Sequence, residues 1–265
     1  MFRIILIIAF LFPSTLNALI FDGKFIQGHF IIGKTQPETE IWIDKKKVKV
    51  SKDGFFAFGI GRDRKYDIVI TSIKNGKKNR ITKKIQKREY KIQRIDGLPE
   101  KKVTPPKEVY ERIKKENKII SDARSVNSNL TFFKNKFKPP LENAIITGVY
   151  GSQRILNGKP KWPHYGIDFA AKEGTQIKAM LDGTATMVEK DLFYTGGTLI
   201  FDHGHGISTL YMHMQKIYVK KGQKVKQGEV IGTVGSTGRS TGAHLDVRLN
   251  WFGTRLDPMT VLNIK

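Results

Sequence analysis

The sequence contains no cysteine. That excludes a disulfide scaffold, a thiol nucleophile, a cysteine-ligated zinc site and a lipidated N-terminal cysteine. Acidic residues are scarce, with 24 Asp and Glu against 47 Lys and Arg, and the formal charge is +23. Long apolar runs are also missing. Ile4–Phe12, ended by Pro13, is far shorter than the roughly 20 residues that cross a bilayer. What is present is ordinary for a globular protein: 39% hydrophobic residues, 25 glycines, and 265 residues, enough for about two domains.

Arg3 ahead of the apolar run, and small or polar residues after it, read as a secretory signal peptide over residues 1–18, with cleavage after Ala18. An exported protein of the periplasm or cell envelope is expected, where the lack of cysteine is harmless. The basic excess lies in the N-terminal half. Residues 44–138 hold 29 Lys and Arg against 11 Asp and Glu, and residues 139–265 hold 15 against 10. An anionic wall or membrane surface fits such charge. Nucleic acid does not, because an exported chain rarely meets it. Lys45-Lys46-Lys47 and Lys83-Lys84 also lack aromatic neighbours for stacking on bases. Plain solvated lysine-rich faces explain the charge equally well.

The pattern predicts a mainly β chain. Residues 19–97 read as a small N-terminal β-sandwich-like accessory domain. Ile41-Trp42-Ile43 and Val48-Lys49-Val50 alternate, Asp53-Gly54 leads into Phe55–Phe58, and Asn75-Gly76 marks a hairpin. Residues 98–138 read as a helical linker. Thr104 is placed to cap a helix starting at Pro105 or Pro106, with Val109, Ile113, Ile120 and Ala123 on one face. Pro139-Pro140 closes it. Residues 139–265 are glycine-punctuated short strands, indicating an antiparallel β-sheet domain.

Three segments of that last part carry chemistry. His164 and Asp168 lie in H-Y-G-I-D, where Gly166 and the following pattern suggest a turn entering a strand. An imidazole and a carboxylate suit a zinc-type ion. His213 lies in Y-M-H-M, expected just after a strand ending at Leu210. His244 and Asp246 lie in G-A-H-L-D, and strand alternation puts both on one face with Leu245 turned to the core. His203 and His205, set among glycines in D-H-G-H-G, read as structural, as does the isolated His29.

These segments resemble the three signature segments of the LytM/lysostaphin-type zinc metallopeptidases, family M23. G-Q-K-V-K-Q-G-E-V-I-G-T-V-G-S-T-G is similar to the hairpin region that precedes the last of them. The resemblance covers about residues 139–260, and the N-terminal region resembles the accessory part of exported proteobacterial members. It implies an antiparallel sheet with a groove, one Zn2+ ion, and the stem peptides or cross-links of peptidoglycan as substrate. By position it implies His164 and Asp168 as metal ligands, and His213 and His244 as the histidines that handle the water proton and the oxyanion. Arg154, Trp162 and Tyr165 fall near the implied groove.

One position departs from the family. The third ligand there is the second histidine of H-L-H, and here that place is Asp246. Carboxylate is a competent zinc ligand, so Asp246 is expected as the third metal ligand. Two carboxylates would neutralise a divalent ion, however, leaving bound water less acidic and giving harder ions a better chance. Metal-dependent peptidoglycan endopeptidase is therefore the expected function. The alternative is a relative that has lost a ligand and activates separate wall amidases. A biotinyl- or lipoyl-type carrier would leave the histidine segments unexplained.

Overall fold

The computed structural model describes residues 19–97, 100–143 and 145–262; the expected signal peptide lies outside them. The N-terminal strands are β1 (Ile20–Asp22), β2 (Phe30–Lys34), β3 (Glu40–Ile43), β4 (Lys46–Val48), β5 (Phe55–Gly59), β6 (Ile68–Lys74) and β7 (Lys77–Lys83). They form two antiparallel sheets, in the orders β1-β2-β5 and β4-β3-β6-β7. Ile31, Ile41, Phe56, Phe58 and Ile70 are fully buried in their core. Asn75 and Gly76 both take positive φ, 49° and 74°. That is the backbone a two-residue hairpin requires, and it locks β6 to β7 in unbroken register.

The helix begins later than the sequence suggests. Helix α1 is the short Glu100–Val103, and after the prolines a 3-10 turn at Lys107–Val109 leads into α2, Tyr110–Arg124. Thr104 caps neither the 3-10 turn nor α2, whose N-cap positions are Pro106 and Val109. Pro105 is steered to extended backbone by the proline after it, and Pro106 itself is extended at φ −61°, ψ 152°. Helical geometry can therefore start only beyond them.

Strand β8 (Ile92–Ile95) pairs in parallel with β10 (Gln153–Leu156), which pairs in turn with β11 (Lys159–Pro160). The remaining strands are β9 (Ile145–Gly148), β12 (Ile167–Ala170), β13 (Gln176–Lys178), β14 (Gly183–Leu192), β15 (Gly196–Gly204), β16 (Ile207–Ile217), β17 (Lys224–Val225), β18 (Val230–Val234), β19 (His244–Trp251) and β20 (Thr254–Leu256). They build one ten-stranded antiparallel sheet. Its main order is β17-β14-β15-β16-β19-β12-β9, with β13, β18 and β20 at its margins.

Alternation along β19 sorts its two faces. Leu245, Val247 and Leu249 are fully buried in the main core, while His244, Asp246, Arg248 and Asn250 point the other way. Register places Leu210 opposite Arg248 and Met212 opposite Asp246, so these share the second face. Helix α2 packs Ile120 and Ala123 onto that same face, against Met187, Leu192, Ile200, Leu210 and Met212. The main core runs from Phe30 to Leu262 without a break, so both halves of the chain contribute to it.

His203 has both ring nitrogens engaged within the fold. His203 is fully buried, with Nδ1 2.7 Å from the Asp182 carbonyl and Nε2 2.8 Å from Thr209 Oγ1. Burial pushes its pKa down to about 4. The unfolded chain then binds the extra proton between pH 6.5 and 4, so stability falls as pH drops through that window. The expected loss between pH 7.5 and 5 is about 2 kcal/mol. Urea unfolding at the two pH values checks this, and His203→Gln should flatten the difference.

Candidate metal centre

The cleft at the sheet's second face has a volume of about 370 Å³ and is lined by Asp168, His213, His244 and Asp246, together with Gln93, Arg154 and Arg239. His164 lies beneath it, 2% exposed. As anticipated from Gly166, His164 sits in the loop and Asp168 inside β12. Asp168 is directly opposite Asp246 of β19. Cross-strand pairing thus brings two carboxylates face to face, and the loop folds the imidazole in behind them.

One ligand atom from each of His164, Asp168 and Asp246 lies within 4.8 Å of the others. His164 Nε2 is 3.0 Å from Asp168 Oδ1 and 3.4 Å from Asp246 Oδ2. Its Nδ1 is 3.3 Å from the Val149 carbonyl. Donation there leaves Nε2 with a lone pair directed at two carboxylates, an arrangement that calls for a cation between them. Asp168 Oδ1 is buried and accepts no hydrogen bond, so it too awaits a partner. Burial works against a charged imidazole, but the two carboxylates outweigh it and hold the His164 pKa above its ordinary value. The residues therefore fit a metal ion.

Glycine at two positions makes room for the carboxylates. A Cβ on Gly148 would lie 2.2 Å from Asp168 Oδ2, and one on Gly166 would lie 2.3 Å from Asp246 Oδ1 and 2.6 Å from the Val247 carbonyl. Neither distance is tolerable between real atoms.

His213 stands within β16 and not after it, correcting the expectation of a strand that ends at Leu210. Register slips between Tyr211 and Met214, where one extra residue is accommodated opposite β15. His213 takes φ 63° there. The bulge turns its ring to the cleft, although simple alternation from Met212 would send it to the core. Its backbone N–H donates to Thr195 and its Nδ1 lies 2.8 Å from the Thr237 carbonyl. Burial pushes its pKa below the ordinary value. The His244 ring lies 4.7 Å away, with Nδ1 2.9 Å from the Gly242 carbonyl and Nε2 4.0 Å from Asp168 Oδ1. Both rings thus spend Nδ1 on the backbone, which fixes the tautomer and leaves Nε2 for the cleft.

Two guanidinium groups approach the carboxylates. Arg154 Nη2 donates to Asp168 Oδ2 at 3.1 Å, and its Nε lies 3.3 Å from Gln93 Oε1 of β8. Arg248 donates through Nη2 to Asp246 Oδ2 at 3.0 Å and through Nε to Oδ1 at 3.3 Å. Burial alone would raise the Asp246 pKa; the charge of Arg248 and the contact with His164 hold it well below the carboxylate range instead. Arg248 and Gln93 were not singled out from the sequence. Arg248 was within reach of the alternation argument, standing two residues beyond Asp246. Trp162 is 83% exposed and Tyr165 packs against Tyr150 and Arg255, so neither lines this cleft.

Residues 162–258 match Peptidase family M23. The chain carries an M23 peptidase domain. Within curated relatives, an uncharacterized metalloprotease of Haemophilus influenzae is 43% identical over 102 residues, covering 37% of this chain and 21% of that one. The peptidoglycan DD-endopeptidase ShyA of Vibrio cholerae is 45% identical over 87 residues, covering 33% and 20%. The chain thus spans about a fifth of the length of these relatives. A putative peptidase M23 from Pseudomonas aeruginosa shares the fold across 90% of this chain and 94% of its own, with a TM-score of 0.65 and 24% identity. The mainly β architecture, N-terminal sheets included, is therefore shared with that structure.

Proposed function

We propose that the protein is a metal-dependent peptidoglycan endopeptidase of the cell envelope, cutting amide bonds in stem peptides or cross-links. The observation that carries this reading is the buried triad of His164, Asp168 and Asp246 beside two tautomer-fixed histidines in one cleft. The wall-cutting relative in Vibrio cholerae supports the substrate class. His164 Nε2, Asp168 Oδ1 and an Asp246 oxygen would hold the ion, zinc foremost. Bound there, it supplies Lewis acidity for the scissile carbonyl and makes water more acidic.

The rest falls to the chain. The neutral Nε2 of one cleft histidine accepts a proton from the attacking water, and the other histidine donates to the developing oxyanion. The low pKa of His213 keeps its ring neutral near pH 7, the state a base needs. The carbonyls of Thr237 and Gly242 hold both rings in place while the proton moves. Residues 139–265 would form the peptidase part, following a helical linker over 98–138 and an accessory domain over 19–97. The accessory part would hold the protein at an anionic wall or membrane surface, a role suited to the exposed Lys77, Lys78, Arg80, Lys84 and Lys87.

Digestion of isolated sacculi, followed by separation of the soluble fragments, tests this. Released peptide cross-link fragments, lost on Asp168→Asn, are expected. Intact sacculi with metal-loaded protein would sink the endopeptidase. Co-sedimentation of Asp168→Asn at low and high salt tests the surface role, since salt-independent retention rules out an electrostatic hold.

A further inference from the structure

The two carboxylates of the triad are not equivalent. Asp168 gives Oδ2 to Arg154 and keeps Oδ1 unengaged by any hydrogen bond. Asp246 has no such spare atom, because Arg248 takes both of its oxygens in a fork. Asp246 is 3% exposed, and the pair spans positions i and i+2 on one strand face. A half-buried, bidentate guanidinium–carboxylate contact is strong and directional. Arg124 and Arg255 press on Arg248 with like charge, so its position against Asp246 is the favourable one.

Charge makes the same point. His164, Asp168 and Asp246 together carry −2 when the imidazole is neutral. Counting Arg248 with its partner Asp246 brings the three donors to −1, the charge of two imidazoles and one carboxylate, and Arg154 beside Asp168 offsets a further unit of negative charge. Resting on the metallopeptidase reading above, we propose that Arg248 is a positioning residue that rivals the ion for Asp246. It renders the Asp246–Arg248 pair the electrostatic counterpart of a neutral third ligand. The ion must share Asp246 with the guanidinium, so it is held less tightly than three unshared donors would hold it. The neutralisation foreseen for a two-carboxylate site does not then arise.

The test is zinc affinity of the full chain, measured by competition with a chromophoric chelator, for the wild type, Arg248→Met and Arg248→Gln. Both variants remove the rival charge, and the glutamine retains a polar side chain should methionine disturb the fold. Zinc is expected to bind either variant at least tenfold more tightly than the wild type, at one ion per chain. Equal or weaker binding in folded variants, judged by circular dichroism, overturns the inference. Sacculus cleavage is scored separately. Cleavage with equal affinities defeats only the role of Arg248, whereas the expected affinity order without cleavage defeats only the endopeptidase. Zinc bound by none of the three defeats both.

Discussion

Replacing His213 by alanine is expected to slow wall cleavage by about 10²–10⁴-fold, the usual worth of a positioned acid or base, while one metal ion stays bound. The donors proposed for the metal belong to His164, Asp168 and Asp246, and His213 touches the cleft from a different strand. Its backbone also argues for a task beyond packing. A non-glycine residue at φ 63° is strained by roughly 1–3 kcal/mol, and such strain persists where surroundings enforce it. The Thr195 carbonyl does so here, accepting from the His213 backbone N–H. Alanine at this bulge keeps the backbone strain but removes the imidazole, so the fold should survive. Turnover on sacculi with elemental analysis of the same sample decides the matter. Near-normal cleavage would remove His213 from the reaction, and loss of the ion would place it among the ligands.

Gly166→Ala should be nearly as damaging, by a different route. The added methyl meets Asp246 Oδ1 and the Val247 carbonyl well inside van der Waals distance. The carboxylate can swing, but the carbonyl belongs to a central strand and cannot. Overpacking of this kind destabilises by about 1–3 kcal/mol, and a ligand displaced by its support loses about 10–100-fold in metal affinity. Gly253→Ala is the control, because nothing lies within 4 Å of the place its methyl would take. Thermal midpoints and chelator competition on both variants provide the readout. Wild-type metal affinity in Gly166→Ala would show that Asp246 is not held where the ion needs it.

Much of the centre was legible because strands obey a period of two. H-L-D-V-R declares that His244, Asp246 and Arg248 share a face and that Leu245 and Val247 do not, and the burial follows. Asn75-Gly76 declared its hairpin for an equally local reason. What escaped was non-local or irregular. A bulge has no composition of its own, so Y-M-H-M gave no sign that His213 is inside a strand and turned by one residue. Parallel pairing of β8 with β10 joins segments some sixty residues apart, and neither signals the other. Gln93 therefore could not be placed in the cleft from sequence. The start of α2 was missed because two prolines satisfy a first-turn rule individually but exclude helix when adjacent.

The unbroken core has a bearing on how this protein could be re-engineered. Phe58 packs edge-on against Trp251 at 6.5 Å, the Lys46 ammonium sits 3.2 Å from the centre of the Phe252 ring, and Gln93 borders the cleft itself. Grafting residues 139–265 alone onto a foreign targeting module would leave an apolar flank bare and remove part of the cleft's rim. The transferable unit for a chimera is residues 19–262, not the stretch that the family signature delimits.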